Sequence, residues 1–476
     1  MNTGTAQETL KKTLKLRHLF TIGVGTIVGV AWLMVLGSVL ASGGPLGAAI
    51  GFVVGACAMI PIGLCYAELT AAFPYAGGEI VYAYELFGVR LAYVAGVSLV
   101  FIYLINCVFF AVSVGWLLNE LFAGIQGPVL YSVLGAPVHM GDVAIGLFTS
   151  LALLLTHWRG ARDAARLQDF ATYALLIASC VFVAIGIARG HVSNLRPLIV
   201  ASKWAWGYGG IFAALAVTPY FFGGFNTIPQ AVAELEDPRD RGRIAGVLAA
   251  CILTSLIFYC SILAAVSMAL PREQLLSYQL PVAQAFRVAF GSRVIADVVL
   301  IAGVTGLIAV WNALFFAATR VLFVLGRSHL LHPSLGKLAY GTAAPTRAIL
   351  FVTVLSMAGV FLGKGVLLPV VNVTSTLFAL MYAIVTIGVI FHRRRSDTSG
   401  GYRVPGGRLL VWAAAVFSIY LVALSLLQQW MDAGRRVPVE WWLLLGFGAL
   451  AWSLWVFSSK TRHGISEARR DQIILT

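Results

Sequence analysis

Residues 218–238, TPYFFGGFNTIPQAVAELEDP, lie inside a long apolar run and therefore at membrane depth. Four of these residues, Pro219, Gly223, Gly224 and Pro229, oppose an unbroken helix. Backbone released from helical hydrogen bonds finds no partner in hydrocarbon. It is tolerated only where protein wraps it or where it lines a watery cavity. A helix interrupted at that depth marks a binding site, above all when an earlier span is interrupted in the same way. Gly23-Val-Gly-Thr-Ile-Val-Gly29, in the first apolar segment, is such a span.

The composition around these two interruptions sets the class. Of 476 residues, 60% are hydrophobic and 11% charged, and the mean hydropathy is +0.89. Soluble domains carry about 25% charged residues, so the chain reads as an all-α integral membrane protein with the lipid bilayer as its first partner. A formal net charge of +14 would suit nucleic acid. The basic residues lie in short inter-helical loops, however, not on one soluble face, and nucleic acid is set aside as a partner. All six cysteines fall in apolar segments without a CxxC or Cys/His cluster, so neither a metal site nor a disulfide framework is expected. HExxH, GxSxG and GxxxxGK[ST] are all missing, which argues against an enzyme, a nucleotide cofactor and ATP-driven transport.

About 20 apolar residues cross a bilayer. On that measure the chain holds about twelve spans, near 17–42, 45–72, 91–122, 142–158, 165–189, 207–234, 244–270, 293–326, 346–362, 366–391, 409–431 and 439–457. With the N-terminus inside, the inner segments carry 24 of the 33 lysines and arginines. The positive-inside bias thus places both termini in the cytoplasm of a multi-pass protein of the cell (plasma or inner) membrane. The interruptions fall in spans one and six. Five spans is an odd number, so two such halves insert with opposite orientation, the layout of an inverted-repeat transporter. The expected organisation is a cytoplasmic tail at 1–16, a transport core of two inverted five-helix repeats at 17–391, two additional helices within 392–457 and a basic cytoplasmic tail at 458–476.

Several stretches resemble one family. They are Gly23 to Leu33, GVGTIVGVAWL; Tyr66 to Gly88, YAELTAAFPYAGGEIVYAYELFG; and Phe222 to Arg239, with Gly224-Phe225, Glu234 and Asp237-Pro238-Arg239. The eighth span, ending Asn312-Ala-Leu-Phe-Phe-Ala-Ala-Thr-Arg320 and followed by Leu331-His-Pro333, fits too. Together they resemble the amino acid–polyamine–organocation superfamily of permeases over nearly the whole chain. The resemblance implies the five-plus-five, leucine-transporter-like fold with broken helices 1 and 6, and alternating access by a secondary active transporter. It also implies that amides at the first break hold a substrate carboxylate while carbonyls at the sixth hold its amine. Helix-end physics agrees, since an N-terminus presents bare N–H groups and a C-terminus bare carbonyls.

The departures from the family pattern are specific. Where the family reads G-S-G-I-F, this chain has Gly29-Val30-Ala31-Trp32-Leu33, losing a hydroxyl and a glycine. No lysine stands near Leu175, where proton-coupled relatives have one. Ile308 and Ala309 replace the hydroxyl pair of sodium-coupled relatives and offer no oxygen ligands. These departures disfavour sodium symport and remove the usual proton route, while the resemblance implies that the substrate is an amino acid or a small organic amine. An amine or polyamine exchanger is the alternative, and a non-transporting receptor on the same fold is the reading from another class. The expected binding residues are Gly25, Thr26, Ile27, Val28, Gly29, Trp32, Tyr103, Asn106, Phe222, Gly223, Gly224, Phe225, Asn226 and Trp311. Trp32, Phe222, Phe225 and Trp311 would form an aromatic wall able to hold an apolar side chain or an ammonium. Trp311 aligns with a substrate-stacking tryptophan of family antiporters. Intramembrane carboxylates are functional candidates by default. Glu68, Glu79, Glu120 and Glu234 all sit near span ends, within reach of solvent or loop arginines. Glu234 is expected to pair with Arg239, Arg241 or Arg243 as a gate, and proton coupling, where present, falls to Glu79 or Glu234.

Overall fold

The structure, a computed structural model, describes residues 12–474 apart from 123, 201–207, 278–281, 283–284, 286, 288–290, 292, 340–342, 396–400 and 435. Tail positions 1–11 and 475–476, and the expected start of the sixth span at 207, lie outside the described residues. Among the described residues, ten helices are long and apolar enough to cross a membrane, from Leu16–Leu33 to Val439–Phe457. Two shorter apolar helices, Gly209–Phe221 and Thr346–Val360, stand where the sixth and ninth spans are expected.

The first and second spans join without a loop. The helix Leu36–Ala72 runs through 37 residues but is non-helical at Gly44, immediately before Pro45. Proline disfavours helical backbone in the residue ahead of it, and that residue is the turning point. The membrane-crossing elements are helical, as expected of an all-α fold, and the connection between the spans Val89–Leu121 and Met140–Trp158 adds one antiparallel hairpin, in which Val129–Val133 pairs with Ala136–His139. Leu134 and Gly135, both with positive φ, form its two-residue turn.

Outward faces are apolar. The helix Val439–Phe457 has no buried residue and presents Trp442, Leu445, Trp452 and Phe457. Phe148, Phe170 and Ile177 are exposed on other helices. Apolar surface of this extent is unstable against water and suits lipid tails. The interior is held by the long helices Val89–Leu121, Arg293–Arg327 and Leu367–Arg395, whose wholly buried members include Tyr103, Val321 and Tyr382.

Both described chain ends reach one face. Thr13 and Leu14 donate their N–H groups to the Glu234 carbonyl at 2.9 Å each, and Glu236 N–H returns a bond to the Leu14 carbonyl at 2.9 Å. On the same face the helix Glu467–Ile474 closes against the end of Arg293–Arg327, where Arg470 Nε donates to the Ser328 carbonyl at 3.2 Å.

Candidate functional site

The expected first and sixth spans are both interrupted, and the interruptions touch. The first runs Leu16–Val28, turns at Gly29 and resumes as the short helix Ala31–Met34. The other passes through Gly209–Ala216 and Thr218–Phe221 and resumes at Thr227–Ala231. Both turns rest on left-handed backbone, with Gly29 at φ +44° and Gly224 at φ +119°, a region in which glycine alone escapes a Cβ penalty. A Cβ placed on Gly224 would lie 2.6 Å from the methyl of Thr26. The two breaks are therefore in van der Waals contact.

Between them lies a cavity lined by Thr26, Ile27, Gly29, Val30, Ala31, Asn106, Phe110, Tyr220, Gly223, Gly224, Val310, Leu314 and Phe378. Its volume is about 20 Å³, room for water but not for an amino acid. No charged side chain lines it. Among the described residues, no backbone or side-chain acceptor takes the N–H of Val30, Ala31 or Gly224, three residues of the cavity lining. Asn106 commits its Nδ2 to the Ile102 carbonyl at 2.8 Å and to Thr374 Oγ1 at 3.1 Å. Its amide oxygen is left as the acceptor.

Carbonyls freed by the breaks are met by buried donors from neighbouring helices, as a dry interior requires. Tyr259 Oη lies 2.5 Å from the Ile27 carbonyl and 2.8 Å from the Phe221 carbonyl, so its one proton serves both breaks in turn. Ser375 donates to Ala216 at 2.9 Å and Trp32 Nε1 to Gly29 at 3.1 Å. A second polar layer backs the first break. Gln168 Nε2 and Thr172 Oγ1 both donate to the Thr21 carbonyl, at 3.2 and 3.1 Å, and Asn312 Nδ2 bonds Gln168 Oε1 at 2.9 Å. This layer fills the region where Leu175, Ile308 and Ala309 offer no lysine and no hydroxyl pair. Sequence reasoning missed it, although Gln168 and Thr172, one turn apart in an apolar span, were a visible signal.

The expected binding residues separate into groups. Thr26, Ile27, Gly29, Asn106, Gly223 and Gly224 meet at the cavity. Gly25 instead packs against Gln168 and Thr172, and Val28 is buried away from the lining. Thr26 spends its hydroxyl on the Ile22 carbonyl at 2.5 Å. The four rings do not come together as one wall. Trp32 stacks on Phe182 with centroids 5.4 Å apart, Phe222 packs edge-on to Tyr259 at 5.7 Å, and Phe225 stacks on Tyr382 at 5.4 Å. Trp311 is buried on its helix but does not line the cavity, whereas its neighbours Val310 and Leu314 do. Aromatic lining comes instead from Phe110, Tyr220 and Phe378. Phe110 was legible one turn after Asn106; Phe378 carried no local signal.

Carboxylates near the breaks also differ from expectation. Glu234 pairs with Arg320, not with Arg239, Arg241 or Arg243, through Nε–Oε1 at 2.8 Å and Nη2–Oε2 at 3.3 Å. Arg320 stands about two turns before the end of the helix Arg293–Arg327 and is 86 residues from Glu234 in sequence, a pairing that loop proximity could not reveal. Glu68 takes two bonds from Arg393, at 2.7 and 2.6 Å, and one from Val404 N–H at 2.7 Å. Among the described residues, no arginine bonds Glu79. Its Oε1 accepts from Asn226 Nδ2 at 3.1 Å and its Oε2 from Gln230 Nε2 at 2.6 Å, and the same Asn226 Nδ2 lies 2.8 Å from Tyr103 Oη. Tyr103 and Asn226 thus stand behind the sixth break, joined to Glu79, and not at the cavity.

A profile of the family described as amino acid permease matches residues 14–452. Among curated proteins the chain is 25% identical over 457 residues to a branched-chain amino acid permease of Bacillus subtilis (strain 168), covering 93% of each chain. It is 24% identical over 413 residues to a methylthioribose transporter of the same organism, covering 85% of this chain and 86% of the relative. It is 26% identical over 448 residues to cationic amino acid transporter 7, chloroplastic, of Arabidopsis thaliana, covering 92% of this chain and 74% of that one.

Proposed function

The chain belongs to the amino acid permease family, and from that premise we propose that it is a secondary permease for a neutral, zwitterionic amino acid with an apolar side chain. It works by alternating access around the cavity between the two breaks. The observation that carries this reading is the pairing of bare N–H groups at Val30, Ala31 and Gly224 with the unspent amide oxygen of Asn106 across one apolar hollow. A carboxylate suits the former and an ammonium the latter. Ile27, Phe110, Val310, Leu314 and Phe378 suit an apolar side chain. A solute bearing net charge would be buried there unpaired, at a cost of several kcal/mol.

The two interrupted helices support an arrangement of 17–391 as two inverted five-helix repeats, with 392–457 as added helices. The positive-inside bias supports a plasma- or inner-membrane location in which the face holding Leu14, Glu234 and Ile474 is cytoplasmic. The small cavity corresponds to a contracted state that must widen around substrate.

Counterflow in proteoliposomes tests the reading. Vesicles loaded with unlabelled leucine, lysine, methylthioribose or spermidine are offered the labelled solute outside. Exchange of leucine but not of its methyl ester or N-acetyl derivative is expected, because each derivative loses one of the two charges. Exchange of spermidine without leucine would replace this reading with the amine exchanger. A melting shift with leucine but no exchange would replace it with a receptor.

A further inference from the structure

We propose that Glu79 is the proton-binding group of this permease, and that its charge state governs the position of the Asn226–Gln230 segment immediately after the sixth break. The proposal rests on the transport reading above and deepens it. Glu79 opens the short helix Glu79–Phe87, which lies between two spans and outside both. Glu68, Glu79 and Glu234 are the buried carboxylates among the described residues. Glu68 and Glu234 are each paired with an arginine. Glu79 is wholly buried with neutral partners. The titratable groups facing it are phenols, Tyr66 from Leu36–Ala72, Tyr82 from its own helix Glu79–Phe87, Tyr103 from Val89–Leu121 and Tyr382 from Leu367–Arg395. No lysine, arginine or histidine among the described residues bonds it.

Its shell is short of hydrogen atoms. Asn226 Oδ1 and Gln230 Oε1 are buried acceptors without a donor. The Tyr66 hydroxyl lies beside the carboxylate without a well-formed hydrogen bond. One added proton supplies a donor for one of these two acceptors. A neutral carboxyl donates its O–H to either amide oxygen after a turn of that amide, which exchanges two groups of nearly equal size. The same side chains therefore satisfy both charge states, which an arginine partner would not. Burial pushes the Glu79 carboxyl up to about 7, against the amide hydrogen bonds that pull it down. That places its titration in the range where a pH gradient across a membrane can act.

Coupling follows from where the amides sit. Hydrogen bonds to a charged oxygen are roughly twice as strong as those to a neutral one. Charged Glu79 thus holds Asn226 and Gln230 against the short helix, and protonation loosens them. Asn226 adjoins Phe225 and Gly224 of the break, so this change reaches the cavity wall within two residues. Each cycle takes one proton from the acidic side, forming the carboxyl O–H, and releases it on the other, breaking that O–H, with no change to any bond between heavy atoms.

The test uses full-length protein in proteoliposomes containing an entrapped pH dye, with leucine as the probe. Three readouts are compared in wild type and Glu79→Gln: counterflow at equal pH, accumulation under an inward acid gradient, and the dye response. One proton per cycle lets a gradient of one pH unit support about tenfold accumulation. Wild type is expected to reach that range and acidify the lumen. Glu79→Gln is expected to keep counterflow while accumulation falls to about onefold and the dye response disappears. Wild-type counterflow without proton movement, or unimpaired gradient-driven accumulation in Glu79→Gln, would overturn the proposal and leave the permease reading intact. Absence of counterflow in wild type would overturn both. Should Glu79→Gln misfold, infrared difference titration of wild type and Glu79→Asp decides. A carboxylic C=O band that appears near neutral pH and moves in Glu79→Asp supports the assignment, and a band unmoved by the substitution rejects it.

Discussion

Gly224 shows how much one missing Cβ carries. Its φ of +119° is foreign to L side chains, and the space beside it is taken by Thr26. Gly224→Ala should therefore cost about 1–3 kcal/mol through backbone strain and forced separation of the two breaks. Expected results are a lower melting temperature in detergent and counterflow reduced at least in proportion to the lost fold. Alanine at Gly242, where a Cβ meets nothing within 4 Å, should leave both unchanged. Equal behaviour of the two variants would show that the breaks do not depend on contact at Gly224. Trp32 makes the opposite point. A bulky ring near a break reads as a binding surface, yet it faces Phe182 and Phe258 and donates to Gly29. It braces the turn from behind.

Helix ends are joined by charge on the face that carries Leu14. The Glu234–Arg320 pair links the segment beyond the sixth break to the helix Arg293–Arg327, with both side chains almost wholly buried. Arg320 also lies over the Phe316 ring at 3.6 Å. Removing one partner of a buried pair strands the other charge, at a cost of about 3–5 kcal/mol. Glu234→Leu and Arg320→Leu should each destabilise by that amount in thermal or denaturant unfolding. The double variant should cost clearly less than their sum, because it leaves no orphan charge. Additive losses would mean that the pair is not a coupled unit. Glu79, bonded by Asn226 and Gln230 just before Glu234 in the same segment, has no such arginine tie among the described residues, and on our proposal it is the switchable contact.

The C-terminal helix Glu467–Ile474 belongs to the same closure. Arg470 reaches the Ser328 and Arg462 carbonyls, Asp471 accepts from the Tyr84 hydroxyl, and Ile474 is buried. Beside it a cavity of about 360 Å³ is lined by Lys12, Tyr75, Arg241, Arg327, Ile473 and Ile474. A chain ending after Gly464 loses these bonds. Amide exchange in Glu79–Phe87 and around Leu14 should then accelerate by about ten- to a hundredfold, corresponding to one or two lost buried hydrogen bonds. Unchanged protection there would show that the helix only rests on the surface.

Hydropathy and the local chemistry of glycine and proline were enough to place the chain in a membrane and to locate both interruptions, since each depends on neighbours in the sequence. The kink at Gly44 before Pro45 was legible for the same reason. Rotation of each helix about its own axis was not. It is set by packing against residues far away in the chain, so Phe378 and Tyr220 reach the cavity while Trp311 and Phe225 do not. The partner of each buried carboxylate has the same origin. A loop arginine near in sequence is close in water, but at depth the group that satisfies a charge is whichever one the folded helices deliver, Arg320 for Glu234 and two neutral amides for Glu79.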